Sequence, residues 1–323
     1  YLISLTLILS LLFSIDVGAV KVSILDIISG DAHDLDKHVL LNIRLPRIVL
    51  GLIVGSALSI CGASMQGLFR NPLADPGLIG ITSGAALSVA VVIVLFPFLL
   101  DGLVGLYALS AAAFAGAILI AIIITLIAGK SNQLSIVHVL LCGIAINSIA
   151  GSLTGLLTYF STDDQLRTLT FWTMGSLSGS MWAQVIVCLS LVVPCLIILR
   201  KCAVGLNLLS LGEEPAVFVG LNYQKLKLCI LITVSIATGV CVAVSGFIGF
   251  IGLIVPHLIR QFVGADHKYL LPLSALAGAV LLVFSDVVAR IIIAPAEMPV
   301  GLITSSIGGP IFLIIIMKQF SRK

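Results

Sequence analysis

Side chains able to do chemistry are scarce in this chain, and their spacing excludes more than it offers. The five histidines, His33, His38, His138, His257 and His267, include no pair at a convincing ligand spacing. His257 stands in "PHLIR", which invites a metal or heme reading that no second histidine at ligand spacing supports. Seven cysteines form no CxxC pair, and most lie inside apolar runs, where a thiol behaves as a small hydrophobe. Neither a zinc site nor a disulfide framework is expected. The one GK[ST] match, Gly129 to Ser131, has Ile124 where a P-loop needs its glycine. If ATP drives this protein, another chain binds it. A membrane-embedded enzyme would want converging His, Asp or Glu residues, and none converge.

One short stretch remains: "SLGEEPAVFVGLNYQK", residues 210–225, polar and acid-led between two greasy runs. Gly212 can start a helix, Glu213 and Glu214 suit its positive end, and Pro215 fits the first turn. Gly220 fits the left-handed position past the last turn. So short a helix is marginal in water and needs something to dock on. Two readings stand: a capped interfacial helix, or a contact helix for a partner.

The elements that must position these residues are apolar. Hydrophobic residues make up 60% of the 323 and charged ones 10%, against about 25% charged in a soluble domain. The chain reads as an all-α polytopic membrane protein, one domain over residues 1–323, in contact with lipid. Its net charge of +3 implies no nucleic-acid partner. Apolar runs of bilayer-crossing length place ten helices near 1–15, 46–67, 77–98, 103–128, 134–159, 181–200, 226–244, 247–261, 270–289 and 299–317. The first, with no leading Met, reads as a trimmed helix whose start is missing. The eighth is short and can extend backwards across Gly246. With both termini inside, the inner segments hold eleven basic residues and the outer ones six, which favours that orientation. Gly51/Gly55, Gly80/Gly84, Gly151/Gly155 and Gly246/Gly249/Gly252 have the spacing of close helix packing.

The blocks "RLPRIVLGLIVGSALSICGASMQGLFRNPLADPGLIGITSGAAL" (44–87), "LGEEPAVFVGLN", "GFIGFIGLIVPHLIR" (246–260), "DHKYLLPLSALAGA" (266–279) and "DVVARIIIAPAEMPVGLITSSIGGPIFL" (286–313) resemble, in order, the FecCD-type permeases of ABC importers. These carry iron–siderophore, heme or vitamin B12. The resemblance implies the type II importer fold, similar to the vitamin B12 permease, with about ten transmembrane helices. It implies a homodimer in the bacterial inner membrane, pathway on the dimer axis. Two cytoplasmic ATPase subunits would bind ATP and Mg below, and a periplasmic binding protein would deliver cargo above. This chain itself would hold no cofactor or metal and would be no enzyme.

In that light residues 203–222 are the cytoplasmic coupling segment. Gly212, Glu213, Glu214 and Pro215 lead its helix, Ala216 and Val217 pack into an ATPase cleft, and Gly220 ends it. Arg44, Arg47 and Arg290, at outer helix ends, are expected to dock acidic residues of the binding protein. The alternatives are interfacial snorkelling, and for Arg290 an i,i+4 pair with Asp286. "RNPLADP" (70–76) reads as a cytoplasmic turn. Leu134, Ser135, Ile136 and Val137 form the expected cytoplasmic gate, an apolar plug. The pathway offers Asn147 and Thr304, with Phe171 and Trp172 at its mouth and no charge near mid-membrane. "QLRTLTFWTMGSL" looks most like the heme branch, so heme leads, followed by ferric siderophore and then vitamin B12. A self-contained secondary transporter or channel is the alternative of another class; it would carry intramembrane charges or broken helices.

Overall fold

A computed structural model describes residues 14, 34–129, 136–294 and 296–320. Twelve helices follow one another among them, with no strand. Helix α1 (Asp34–Phe69) forms the centre of the bundle. Pro46 cannot donate a backbone hydrogen bond, and the turn before it, Leu40–Arg44, widens to π geometry. The Leu41 carbonyl there accepts the Trp182 indole N–H at 2.8 Å. At its far end α1 stops at Arg70, whose φ of 49° is left-handed.

Helices α2 (Ile81–Leu95) and α3 (Gly102–Gly129) pair along Gly84 and Gly116, whose missing side chains let the backbones meet. Helix α4 (Ile136–Phe160) leans on α2 and presents its other side outward. The short α5 (Asp163–Thr173) is opened by a capping box between Thr162 and Gln165. Helix α6 (Trp182–Lys201) leads into α7 (Ala203–Leu209) and α8 (Glu213–Phe218). Helices α9 (Tyr223–Ser245), α10 (Ile251–Val263), α11 (His267–Ile291) and α12 (Val300–Phe320) complete the chain.

The expected helix at 1–15 lies outside the described residues apart from Ser14; the other nine each correspond to a helix. Six of the described helices are long and apolar enough to cross a bilayer, while α2, α10 and the apolar part of α12 are shorter. Two boundaries are corrected. Gly246, at φ 65°, ends α9, and α10 starts only at Ile251, so the eighth helix does not run back across Gly246. The third does not begin at 77, because Pro76–Ile79 forms a 3-10 turn closed by Gly80.

That turn carries the larger correction. The segment after Arg70 folds back against the bundle, and Asp75 lines a small cavity with Leu58, Thr238 and Gly252. Leu58 is eleven residues from Phe69, about 17 Å along the helix at 1.5 Å per residue. A carboxylate therefore stands near mid-depth, where the sequence reading expected none. Asn71-Pro72 and Asp75-Pro76 break helices as expected, but the broken stretch is tucked inside.

The core is held by backbone approach. A Cβ on Gly62 would collide with the backbone of Gly252 in α10, and one on Gly55 with the carbonyl of Gly278 in α11. In lipid such contacts replace the hydrophobic drive. Gly151 and Gly155, expected to pack likewise, meet nothing within 4 Å among the described residues. Gly62→Val should therefore lower the thermal unfolding midpoint of the purified chain, by the 1–3 kcal/mol or more of an overpacked core (about that order). Gly155→Val should leave the midpoint of the monomer unchanged.

Candidate functional site

Functional side chains gather at opposite ends of the bundle. At one end, α8 is capped by Gly212 at φ 123°, with Glu213 and Glu214 in its first turn. The helix and its bounding glycines, Gly212 and Gly220, lie where the sequence placed them. Ala216 is fully buried in this chain's own packing, so it anchors the helix and faces no partner. The outward residues are Val217, Phe218 and Val219, with Phe218 89% exposed. The expectation that Ala216 and Val217 both pack outward is corrected to this adjoining pattern.

What braces α8 was missed in the sequence. Glu213 pairs with Arg70 at 3.7 Å, both partly exposed, and lies within electrostatic reach of the buried Lys227 of α9. Leu206 and Leu209 of α7 are fully buried beside it. Asn207 donates to Asp266 Oδ1 at 2.6 Å and accepts from the His267 backbone N–H at 2.9 Å, fastening α7 to the start of α11. The Lys268 N–H and the Asn207 amide, both donating to Asp266, hold its carboxyl below the ordinary range.

At the other end the three arginines stand together, and all are buried: Arg44, Arg47 and Arg290 are at most 7% exposed. Arg47 Nε donates to both Asp286 oxygens at 3.0 Å, and its Nη1 to both Glu297 oxygens at 2.9 Å. Arg290 pairs with Asp286 at 3.2 Å, the i,i+4 alternative read above, and donates to the Ser14 hydroxyl at 2.7 Å. Arg44 lies close enough for its charge to act on Arg290. The expectation of arginines offered freely to a docking partner is corrected: all three are buried, and Arg47 and Arg290 are committed to carboxylates of this same chain. Asp286 and Glu297 carry those pairs and were not singled out as site residues. The signal was the matching charge of acids and bases at one end.

The pathway residues separate. Asn147 accepts from Ser83 at 2.6 Å and donates to the Gly77 carbonyl at 3.2 Å, so it holds the folded-back segment in place. Thr304 is buried and donates to the Gly301 carbonyl in its own helix. Phe171 is half exposed beneath the Arg167 guanidinium, 5.7 Å away, and Trp172 is half-buried. Of the expected gate, Leu134 and Ser135 lie outside the described residues; Ile136 and Val137 open α4. His257 sits inside α10 near Arg260, which donates to Gln66 Oε1 at 3.2 Å. The Gln66 amide in turn reaches the Gly252 carbonyl, which Pro256 cannot bond.

Replacing Asp286 with Asn leaves Arg47 and Arg290 short of their shared counter-charge, and should cost about 3–5 kcal/mol of stability, read as a fall in unfolding midpoint. Glu297 gives a pH signature. Burial alone would raise its carboxyl, but Arg47, Ser178 and Arg290 bring it below the ordinary range. Its contribution is complete above about pH 4.3 and is lost as the pH falls through the lowered value. Glu297→Gln should flatten that acid limb of the stability curve.

The FecCD transport family matches residues 6–318 of this chain. The chain is 49% identical over 319 residues to the hemin transport system permease protein of Yersinia pestis, covering 98% of this chain and 94% of that one. It is 38% identical over 318 residues to the vitamin B12 import system permease protein of Vibrio vulnificus, covering 98% and 93%. A solved inward-facing conformation of a metal-chelate type ABC transporter matches with a TM-score of 0.87 at 32% identity, covering 98% of this chain and 97% of that one. The chain belongs to the FecCD transport family and is a multi-pass ABC importer permease.

Proposed function

We propose that this permease carries heme from an extracytoplasmic binding protein into the cytoplasm, as a homodimer driven by two ATPase subunits. The observation that carries the mechanism is α8: a two-turn helix anchored by buried Ala216, with Val217, Phe218 and Val219 turned outward. An apolar edge of that size on a braced helix fits a cleft in a cytoplasmic partner. ATP and Mg would be held there, because this chain has no P-loop. Orientation follows: the Glu213 end faces the cytoplasm with both termini, and the Arg290 end faces outward from the inner membrane.

Heme is favoured by the 49% identity with a hemin permease and by the open face of α4, where Leu141, Ile144, Ile149, Leu153 and Leu156 are exposed. A face of that kind suits a large, mostly apolar cargo at the axis between two copies. The vitamin B12 relatives support cobalamin as a second reading, and ferric siderophores a third. At the outer end, an acidic binding protein would meet Arg44, Arg47 and Arg290 as a buried cluster, and can engage Arg47 and Arg290 only by competing with Asp286 and Glu297 for their guanidiniums. The gate remains assigned to residues 134–137.

Phe218→Asp should weaken capture of the ATPase subunit by about 2 kcal/mol or more, with an unchanged unfolding midpoint for the permease alone. Vesicles holding permease and ATPase, supplied with binding protein, should take up heme in preference to a ferric siderophore and cobalamin offered beside it. Preference for cobalamin overturns the cargo and leaves the mechanism. Uptake without any ATPase subunit overturns the mechanism.

A further inference from the structure

The carboxylate at mid-depth is not used by anything described so far. Asp75 Oδ1 accepts the Gly77 N–H at 2.8 Å and so starts the 3-10 turn. Its Oδ2 faces α10, 3.2 Å from where a side chain on Gly252 would begin. Across the same cavity stands Thr238 of α9, 2% exposed, whose buried hydroxyl has only the weak thiol of Cys61 as a side-chain neighbour to bond. Thr82 completes the polar lining, and the cavity is about 20 Å³, room for one water-sized guest. The remaining wall comes from Phe247 and Ile248, in the break between α9 and α10. Asp75 itself is half-buried, so a small ion can reach it.

A buried hydroxyl offered nothing better than a thiol is poorly satisfied, and a bound guest would recover that free energy. A carboxylate within the membrane demands a counter-charge. Interrupted helices at that depth are where membrane transporters hold small cations. We propose that Asp75, Thr238 and Thr82 form a site for one monovalent cation, a proton or a sodium ion, between the folded-back segment 70–80 and the break joining α9 to α10. The guest sits against Asp75 Oδ2, with the hydroxyls of Thr238 and Thr82 supplying further oxygens. Cys61 of α1 is the ionisable neighbour among the described residues; α4 contributes the uncharged Asn147. A neutral thiol does not titrate in the acid range where a carboxyl takes up its proton. The site does not depend on which cargo is carried.

The purified full chain tests this by thermal unfolding, since a guest that binds only the folded state raises the midpoint. Sodium chloride is titrated against an organic-cation chloride at equal ionic strength, and the pH is varied separately. In the sodium case, sodium raises the wild-type midpoint. In the proton case, acidification raises it and sodium does not. Asp75→Asn keeps an acceptor for the Gly77 N–H and should abolish whichever response occurs. Thr238→Val should shift the half-saturating concentration by about tenfold, the loss of one hydrogen bond to a charged group. Identical responses of wild type and Asp75→Asn to both sodium and pH overturn the site. Should Asp75→Asn not fold, an unshifted half-saturation in Thr238→Val overturns it equally.

Discussion

The bundle depends on how closely α1 can approach its neighbours. A solvent of hydrocarbon gives apolar side chains no reason to leave it, so association rests on dispersion and backbone proximity. Gly55 against the Gly278 carbonyl and Gly62 against Gly252 bring α1 into backbone contact with α11 and α10 at two levels. Every other feature is arranged around that fixed core. The Arg47–Asp286 pair can form because Gly55 and Gly278 hold its two helices together a few turns away. Gln66 can supply the bond that Pro256 withholds from the Gly252 carbonyl because Gly62 brings α10 close.

Length and polarity were legible in the sequence; depth and partnership were not. Long apolar runs fixed α3, α4, α6, α9 and α11 to within a few residues, since a bilayer demands a minimum span. The caps of α8 were legible because Gly212, Pro215 and Gly220 act through their own backbones. Asp75 was misplaced because a Pro- and Asp-rich stretch reads locally as a surface turn. Whether that turn faces water or folds inward is decided by Asn147, some seventy residues away, bonding to Gly77. The arginines were misread for the same reason. Arg47 meets Asp286 across 239 positions of sequence, and helix-end charge alone does not say whether a guanidinium looks outward or inward. Gly151 and Gly155 show the converse: a packing pattern was legible, but no helix among the described residues occupies it.

Motion imposed on α8 has more than one way into the bundle, and the strengths of the links decide between them. The Glu213–Arg70 pair is half exposed at 3.7 Å; such a pair contributes at most about 1 kcal/mol and yields before a helix does. The link through α7 is of another kind. Leu206, Leu209 and Ala216 are fully buried, and Asn207 bonds both the side chain of Asp266 and the first backbone N–H of α11. Packed side chains cannot slide continuously, so a displaced α7 carries the start of α11 with it. Helix α11 then runs 25 residues without a break to Asp286 and Arg290. One element thus has its first turn tied to α7 and its last turns tied to the arginine cluster. The fold therefore joins its two ends through α11, with α1 as the fixed surface along which that helix would have to move.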